Sequence, residues 1–455
     1  MNRTMDMTVG KPSKLILKFA FPLILANMGQ QLYMIVDGII VGRGVGVNGL
    51  AAVGASDWIY WLILWSMIML TQGFSTFVAR YFGEKNYESL NKTIATSAVL
   101  SAFIAILLTA AGILAARPLL MLLKTPSEIL DSSHVYLVTM ISGTVIVGAY
   151  NLASAILRAF GDGRSPFVAM LISAVLNVVL DLLFVMVFGW GIFGAAFASV
   201  MSQLVSFIYC LFRIKRIECV RLEKRYFKPD WALIGKLLSF SLPLALQYAV
   251  ISVGGIVLQS TVNLWGNNFI AGYTATNKLY GLLESTAIAL GSSFSTYFSQ
   301  NYGAKDHSRM RLGVRTSIRI SIVTSLIVTS VILLIGKYLP GLFLDMSEEG
   351  SAEALSVAVK YLNVMACCLI ILYLIYVFRN VLQAMGNSLW SMISGFAECA
   401  ARIVMAKVVV NYMGVDTLFA VEPVAWLWAL LLVMIPYFFY SKRLKEDKID
   451  RKELL

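Results

Sequence analysis

The side chains best suited to chemistry in this sequence are two carboxylates, an amide and a hydroxyl, all inside long apolar segments of its first half. They are Asp37, Asn177, Asp181 and Ser199. An ionised side chain inside a bilayer is costly, so such residues usually face a cavity and take part in function. Together these groups could form an oxygen cage for Na⁺, and paired buried acids could equally hold a proton. A purely structural alternative, in which each acid hydrogen-bonds to a neighbouring helix, stays open.

The four residues fall at similar depths in three apolar segments. Asp37 and Asp181 precede the outer ends of the first and fifth segments by about one to two turns, and Ser199 follows the outer start of the sixth by about two. Asn177 lies four residues before Asp181, so these two side chains share one helix face. The spacing therefore predicts a single site, built by three helices.

The segments that carry these residues continue along the whole chain. Hydrophobic residues make up 59% of its 455 residues and charged residues only 14%, too few charges to cover a soluble protein of this length. About 20 apolar residues suffice to cross a bilayer as a helix. The pattern predicts an all-α integral membrane protein with about twelve transmembrane helices, near residues 15–41, 50–79, 93–116, 134–157, 166–188, 191–212, 237–264, 270–299, 316–336, 357–385, 388–412 and 421–441.

The second half of the chain repeats the first. Residues 75–86 are echoed by 295–306, and residues 157–162 by 382–387, in the same order. Two repeats in a membrane chain usually form two helical bundles that enclose a site between them. The predicted organisation is a cytoplasmic N-terminal segment (1–14), an N-lobe (15–212), a basic cytoplasmic linker (213–236), a C-lobe (237–441) and a charged cytoplasmic tail (442–455).

Lys and Arg residues are distributed unevenly between the two sides of the predicted helices. One side carries nearly all of them, whereas the other has little more than Arg43, Arg117, Lys124 and Lys337. Because cytoplasmic loops are enriched in Lys and Arg, this asymmetry predicts that both termini are cytoplasmic. It also accounts for the net charge of +12. We therefore expect membrane lipids, and no nucleic acid, as partners of the basic residues.

The second half carries a different set of charges within its apolar segments. The repeat aligns Asp37 with Val257 and Asp181 with Ala406, so both acids belong to the first half alone. Glu284 is the best second-half candidate for binding a cationic substrate or a proton. Glu398 and Arg402 are spaced four residues apart, which predicts a structural ion pair. Arg379 lies nearer the cytoplasmic end of its segment, where its side chain is expected to snorkel.

Pro22 and Pro243 occupy equivalent positions in the first and seventh segments. A proline inside a helix removes a hydrogen bond and permits a bend. One hypothesis is that ion binding or protonation at Asp37 changes how the first helix bends. The alternative is a static kink.

Short motifs along nearly the whole chain resemble those of multidrug and toxic compound extrusion (MATE) transporters. In particular, they resemble the branch of DNA-damage-inducible protein F and related bacterial multidrug exporters, because the seventh and tenth segments lack the acids that another branch carries there. The motifs are Gln30-Gln31-Leu32-Tyr33, Val36-Asp37-Gly38, Val41-Gly42-Arg43, Leu50-Ala51-Ala52-Val53-Gly54, Arg158-Ala159-Phe160-Gly161-Asp162, Leu176-Asn177 through Asp181, Gly194-Ala195-Ala196 and Gln300-Asn301-Tyr302-Gly303-Ala304.

The resemblance implies two six-helix lobes related by a pseudo-twofold axis along the membrane normal. It also implies plasma-membrane export of drugs and other organic, often cationic, compounds, driven by inward Na⁺ or H⁺. The family's cation site aligns with Asp37, Asn177 and Asp181, with Ser199 in place of a threonine. Tyr136 and Asn151 match positions that line the interior of that lobe. Together with Glu284, Gln30 and Gln247 they are the candidates for a substrate cavity or polar network.

Other functions receive less support from the residues. A flippase for lipid-linked oligosaccharides or similar substrates would be expected to show more cationic residues in its cavity. A passive channel fits two weakly similar bundles less well than alternating access does. The five cysteines lack metal-type spacing, the two histidines lie near predicted loops and no cofactor motif occurs. We therefore expect a monomeric transporter, not an enzyme, with Na⁺ or H⁺ as coupling ion and no other cofactor.

Overall fold

The apolar segments of the sequence form long helices in the computed structural model, which describes residues 4–221, 223–342 and 350–446. No strand occurs within these ranges. The helices of the first half are α1 (Pro12–Gly44), α2 (Val47–Gly83), α3 (Tyr87–Leu122), α4 (Ser127–Ser142), α5 (Thr144–Ala159), α6 (Arg164–Asp181) and α7 (Gly191–Lys215). Those of the second half are α8 (Trp231–Val262), α9 (Asn267–Gly303), α10 (His307–Ile335), α11 (Ser351–Ala384), α12 (Ser388–Val404), α13 (Val410–Met413) and α14 (Val421–Glu446).

Each of the twelve predicted segments contains one of these helices, with α4 and α5 together forming the fourth. That pair is bent by 45° at Gly143. Within the described ranges, 9 helices are long and apolar enough to cross a membrane, or 10 when the bent pair counts as one span. The two other predicted segments, α9 and the segment beginning with α12, carry many polar side chains, including Glu284, Glu398 and Arg402.

The repeat is visible in the backbone as well as in the sequence. Lys85 and Lys305, at the ends of α2 and α9, both adopt the left-handed conformation, with φ of 58° and 56°. This is the residue conformation that commonly ends a helix. Asn86 then accepts from the Ser89 amide at 3.1 Å, and Asp306 accepts from the Arg309 amide at 2.9 Å, so each loop also caps the next helix.

A second backbone feature repeats at the ends of α6 and α12. A turn of π-helix follows each, at Leu182–Val187 and at Met405–Val409. Such turns are rare and occur frequently at functional sites. The first one begins directly after Asp181, and the second contains Ala406, the residue that the repeat aligns with Asp181.

The described residues divide into two compact units. Unit 1 contains residues 4–6 and 21–245, and unit 2 contains residues 7–20 and 246–446. The first turns of α1 therefore belong to unit 2, whereas the rest of α1 belongs to unit 1. In the same way, the first turns of α8 belong to unit 1 and the rest of α8 to unit 2. The predicted lobe limits, 15–212 and 237–441, remain predictions, and residues 1–3, 222 and 447–455 of the predicted terminal segments and linker lie outside the described residues.

Side-chain hydrogen bonds fix two non-helical segments to their units: the basic linker in unit 1 and the residues before α1 in unit 2. In unit 1, Asn91 donates to the Cys219 carbonyl at 2.9 Å and accepts from the Arg221 amide at 2.6 Å, so the basic linker is fixed to α3. In unit 2, Arg309 donates to the carbonyl oxygens of Met7 at 3.0 Å and Gly10 at 2.8 Å. Each segment is thus fixed by a side chain near the start of the third helix of its half.

Candidate functional site

The structure brings together the four first-half residues that the sequence singles out. Asp37 lies on α1, Asn177 and Asp181 on α6, and Ser199 on α7, all in unit 1. Asn177 Nδ2 donates to Ser199 Oγ at 3.3 Å. The carboxyl groups of Asp37 and Asp181 lie within hydrogen-bonding reach of each other. The arrangement is therefore one cluster of oxygen atoms from three helices.

Apolar packing one turn away sets the position of this cluster. Val41, Val185 and Ala195 form a small buried core that joins α1, the π-helical turn and α7. Asp37, Asp181 and Ser199 each lie four residues from one of these three, on the same helix face. Gly44 allows the close approach, because a Cβ at this position would lie 2.5 Å from Val185 Cγ1.

Four carboxylate and amide oxygen atoms of this cluster lack donors. Asp181 and Asn177 have exposed fractions of 0% and 1%, and Asp37 is half-buried. Within the described residues, no hydrogen bond reaches Asp37 Oδ1, Asn177 Oδ1 or either carboxylate oxygen of Asp181. A buried acceptor without a donor costs about 1–3 kcal/mol, and more if it is charged. A bound cation or proton would remove this cost.

The chemistry of the donor set fits both of these partners. Carboxylate, amide and hydroxyl oxygens are ligands of hard cations. Two carboxyl groups at hydrogen-bonding distance can also share one proton, since a protonated acid can donate to its ionised neighbour. When both acids are ionised, all of their oxygens are acceptors and repel one another. A cation between the two carboxyl groups, or a shared proton, would offset this repulsion.

A third carboxylate, which the sequence interpretation missed, lies near this cluster. Asp57 is half-buried on α2, close enough to Asp37 for their charges to interact. Tyr136, one of the predicted lining residues, is buried on α4 in an apolar cluster against which Tyr60 of α2 packs. A charged residue inside the second apolar segment was the available signal, and it was the same signal that singled out Asp37.

Two further first-half candidates are not joined to the cluster by any described hydrogen bond. Asn151 is half-buried on α5 and donates to the Val147 carbonyl at 2.9 Å, within its own helix. Gln30 is exposed on α1. Pro22 lies inside α1 and Pro243 inside α8, in agreement with their predicted positions. Their role in helix bending stays a prediction.

The second-half charges form a different kind of cluster, which we call the arginine network: Arg379, Glu398, Arg402 and Glu422. The predicted pair is confirmed, with Arg402 Nη2 at 2.8 Å from Glu398 Oε1. Arg402 also contacts Glu422 at 2.7 Å. The expectation that Arg379 snorkels is wrong, because its side chain is buried and pairs with Glu398 at 2.9 Å.

Gln247 completes the arginine network rather than standing in a separate polar lining. It is buried on α8, and with its amide turned so that oxygen and nitrogen exchange places, the oxygen accepts from Arg379 Nε at 3.3 Å and the nitrogen donates to the Ser391 carbonyl at 3.3 Å. Glu284 lies half-buried on α9, with one carboxylate oxygen 3.5 Å from the Tyr376 hydroxyl. Within the described residues Glu284 has no ion-pair partner.

The fold and these two clusters define a class: a multi-pass helical membrane protein with an internal repeat and buried ionisable residues in both halves. A single family model, MatE, matches residues 22–183 and again residues 243–413. The chain therefore belongs to the MatE family, and the resemblance predicted from its motifs is confirmed. The double match also confirms the internal repeat, because the same model describes each half.

Similar proteins agree with this assignment over nearly the whole chain. It is 26% identical over 444 residues to the probable multidrug resistance protein YoeA of Bacillus subtilis, covering 95% of this chain and 94% of that protein. It is 28% identical over 384 residues to the probable multidrug resistance protein YpnP of the same species, covering 84% and 85%. The crystal structure of a MATE protein in complex with MaL6 superimposes with a TM-score of 0.91 at 22% identity, covering 98% of this chain and 100% of that one. The two-lobe MATE fold is thus established for this chain.

Proposed function

We propose that this protein is a secondary active multidrug exporter that exchanges organic, often cationic, compounds for inward-moving H⁺ or Na⁺. The observation that carries the proposal is the donor-poor oxygen cluster of Asp37, Asn177 and Asp181 in unit 1. Ser199 supplies a hydroxyl next to it. The names of the relatives, which are multidrug resistance and multidrug export proteins, support organic compounds as the exported substrates.

The oxygen cluster supplies a physical basis for coupling. Its acids and amide oxygen favour a bound positive charge, and α1 and α6, which carry them, would adopt different arrangements with and without it. The cation and the organic substrate each stabilise the conformation that they bind better. If they prefer different conformations, binding of one weakens binding of the other, and this negative coupling is the basis of antiport. One inward charge at 100 mV supplies about 2.3 kcal/mol, enough for tens-fold accumulation gradients.

The orientation in the membrane follows from the basic residues. The linker 213–236 and the loops that contain Lys85 and Lys305 are rich in Lys or Arg, and the positive-inside rule places them in the cytoplasm. Both termini then also lie in the cytoplasm. The membrane that the protein spans is the plasma membrane. In this orientation the lobes would alternately open inward to load a compound and outward to release it, as a monomer surrounded by lipid.

The flippase alternative is weakened by the arginine network. A flippase that holds an anionic lipid-linked substrate needs cationic side chains available to that substrate. Arg379 and Arg402 are instead engaged by Glu398 and Glu422 at 2.7–2.9 Å. Paired in this way, they have little capacity left for a phosphate.

The experiment that tests the proposal is efflux of ethidium from proteoliposomes under an imposed Na⁺ or H⁺ gradient. Wild type is compared with Asp37→Asn and Asp181→Asn, which keep the shape of each side chain and remove its charge. We expect gradient-driven efflux by both variants to fall about 5- to 150-fold, the usual range of a coupling free energy. The gradient that drives wild type identifies the coupling ion.

The matched control is Asp131→Asn, an exposed acid on α4 that forms only a surface ion pair with Arg117. This variant should transport like wild type. Equal transport by all four proteins would show that Asp37 and Asp181 are structural, and the coupling proposal would fail. Wild-type protein that moves no organic compound under either gradient would favour the flippase.

A further inference from the structure

Three arginines lie in a column in the first half of α10, and we call them the α10 arginines: Arg311, Arg315 and Arg319. Residues four apart are neighbours on a helix surface, so each of these side chains lies beside the next. Arg315 and Arg319 are exposed, and Arg311 is half-buried. Neither Arg315 nor Arg319 has an ion-pair partner among the described residues. Two adjacent guanidinium groups therefore lack a counter-charge within this part of the chain.

The depth of Arg319 along the helix makes this lack costly. α10 has 29 residues and is long and apolar enough to cross a membrane. At 1.5 Å per residue it measures about 43 Å, whereas the hydrocarbon core is about 30 Å thick. With Ile335 at one boundary of the core, Arg315 falls near the other boundary and Arg319 about one turn inside it. A charged group at this depth has to reach the interface or find a partner.

The surface that carries the arginines continues as an apolar, exposed surface. At the same four-residue spacing, Arg319 is followed by Val323, Ile327 and Val331, with exposed fractions of 55%, 59% and 46%. Exposed aliphatic side chains on a membrane-spanning helix contact lipid tails. A phospholipid has the same order of parts, a charged head followed by aliphatic chains. The α10 surface therefore complements both parts of one lipid molecule.

A hydroxyl of a neighbouring helix adds a hydrogen-bond donor beside the arginines. Tyr437, on α14, lies close enough to Arg311 and Arg315 for an electrostatic interaction. Its ring packs edge-on against Phe378 of α11, with 5.2 Å between the ring centroids, so its position is fixed. Guanidinium and hydroxyl groups are both donors to phosphate oxygens. The donors of α10 and α14 can thus be shared by one phosphate group.

The first half of the chain shows that the helix itself does not require these arginines. At the same offset that aligns residues 75–86 with 295–306, the equivalent positions of α3 are Asn91, Ala95 and Val99. Asn91 is engaged by the linker, and Val99 is 51% exposed. Unit 1 thus has an exposed valine where unit 2 has Arg319. The arginines are therefore a property of unit 2 and not of the repeated fold.

We propose that the α10 arginines bind the phosphate of an anionic phospholipid whose acyl chains lie along the apolar part of the same surface. Arginine pairs with phosphate through two parallel hydrogen bonds, and each basic group near a membrane surface favours anionic lipid. The charge of the arginines favours phosphatidylglycerol over phosphatidylcholine, because the choline group offsets the phosphate of the latter. In the orientation proposed above, the lipid belongs to the cytoplasmic leaflet. The inference requires membrane embedding, but neither drug export nor ion coupling.

The test measures the Kd of a fluorescently labelled phosphatidylglycerol for the purified protein in uncharged detergent, by fluorescence anisotropy. Phosphatidylcholine with the same chains and label is the reference. In Arg319→Gln we expect the Kd for phosphatidylglycerol to rise about fivefold, the factor that corresponds to one basic group at a membrane surface. Arg315→Gln should behave alike, and the double variant should lose more than either. Phosphatidylcholine binding should stay within about twofold of wild type in all variants.

The matched control is Lys337→Gln, which removes one exposed positive charge just beyond the other end of α10. Its Kd for phosphatidylglycerol should stay within about twofold of wild type. Arg319→Lys keeps the charge but loses the planar fork, so its affinity should lie between those of wild type and Arg319→Gln. Arg319→Val keeps the proposal testable if the glutamine variant fails to fold, because Val99 occupies the equivalent position of α3. It should show the same loss as Arg319→Gln.

Unchanged phosphatidylglycerol affinity in both Arg315→Gln and Arg319→Gln would overturn the proposal. An equal loss in Lys337→Gln would also overturn it, because overall charge alone would then explain the binding. Inorganic phosphate is the soluble competitor. If it displaced phosphatidylglycerol at equal concentration, the arginines would bind a free anion rather than a lipid, and the proposal would fail. Because no gradient or drug is involved, failure of the proposed antiport would leave this result unaffected.

Discussion

The oxygen cluster of unit 1 and the arginine network of unit 2 share a pair of equivalent helices, α6 with α7 and α12 with α14, but differ in charge balance. The first has two carboxyl groups and no basic partner among the described ion pairs, whereas the second pairs two arginines with two glutamates. The alignment of Asp181 with Ala406 also places Arg402 opposite Asn177. In unit 1 this position supplies an amide whose oxygen has no donor. In unit 2 it supplies a guanidinium that donates to Glu398, to Glu422 and to the Ile251 carbonyl.

This difference shows how one repeat can serve two purposes. A buried ion pair whose hydrogen bonds are complete has no remaining capacity and fixes its helices to one another. A buried set of acceptors that lacks its positive charge is costly until a cation or proton arrives. The equivalent helices, each followed by a π-helical turn, therefore hold a complete ion-pair network in one half and, in the proposed function, a cation site in the other.

The largest expected effect comes from removing one member of the arginine network. Arg402→Leu would leave the half-buried carboxylate of Glu422 without its ion-pair partner and Glu398 with Arg379 alone. Removing one partner of a buried ion pair costs about 3–5 kcal/mol, because the remaining charge is desolvated. We expect this loss in the unfolding free energy, measured by denaturation in detergent.

The control for this variant is Lys407→Leu, one turn further along. Lys407 is exposed and only hydrogen-bonds to Ser260 at 3.2 Å, so its loss should cost less than about 1 kcal/mol. If the two variants were equally stable, the arginine network would not be the structural joint that we describe.

A slightly smaller effect is expected from placing an acid at the unit 2 counterpart of Asp181. Ala406 is buried in the second π-helical turn, at an exposed fraction of 1%. Ala406→Asp would introduce a carboxylate without the oxygen-rich neighbours of unit 1, at a cost of about 2.5–3.5 kcal/mol on insertion scales. The measurement is the unfolding free energy, with Ala406→Asn as the uncharged control of similar size.

A stable Ala406→Asp variant would contradict the idea that the halves differ in what they can accommodate. The instructive outcome would be stability that is restored by Na⁺ or by low pH. The second half would then have gained a cation site by one substitution.

The sequence predicted the elements well because membrane helices leave a strong signal. Apolar length alone placed α1, α3, α10 and most other helices, since every backbone group in a bilayer must be satisfied within a helix. The repeat predicted the equivalent loops at Lys85 and Lys305. The π-helical turns left no such signal, because Leu182–Val187 reads like any other apolar run.

The sequence was enough to predict which residues form the candidate site, but not which of their oxygen atoms lack hydrogen-bond donors. Depth and the four-residue spacing of Asn177 and Asp181 were enough to group the residues that meet. They could not show which oxygens lack donors, because that depends on every neighbouring helix. The error for Arg379 has the same origin: its depth was readable, but the rotation that turns it toward Glu398 was not. Asp57 and Glu422 were missed although each lies inside a predicted segment.

The third expected effect is stabilisation of the folded protein by the coupling ion, which should depend on the oxygen cluster of unit 1 and not on the arginine network of unit 2. A ligand that binds only the folded protein stabilises it by about 2.7 kcal/mol at 100 times its Kd. We expect saturating coupling ion to raise the unfolding free energy of wild type by about this amount, and to leave Asp181→Asn unchanged. Arg402→Leu should keep the increase, although its baseline is lower.

The measurement is a denaturant series in detergent, with Na⁺ varied at constant ionic strength and separately with pH varied. Constant ionic strength matters because screening alone changes surface electrostatics. If Na⁺ still stabilised Asp181→Asn, the ion would bind elsewhere. The oxygen cluster of unit 1 would then not be the cation site that distinguishes it from the arginine network.

The smallest expected effect, that of Ser199→Ala, distinguishes Na⁺ from H⁺. Ser199 Oγ contacts Asn177 Nδ2 at 3.3 Å, a long hydrogen bond whose loss costs about 0.5–1.5 kcal/mol at most. If the site binds Na⁺, the hydroxyl is one of its ligands, and its removal should weaken Na⁺-dependent stabilisation by about 2- to 12-fold in apparent Kd.

A proton needs only the two carboxyl groups, so H⁺-driven efflux should be the same in Ser199→Ala as in wild type. Ser199→Thr restores the hydroxyl and should return Na⁺ binding to the wild-type value. Equal weakening by Ala and Thr would mean that the side chain acts by packing rather than as a ligand. In that case three residues, and not four, would make up the site that distinguishes unit 1 from unit 2.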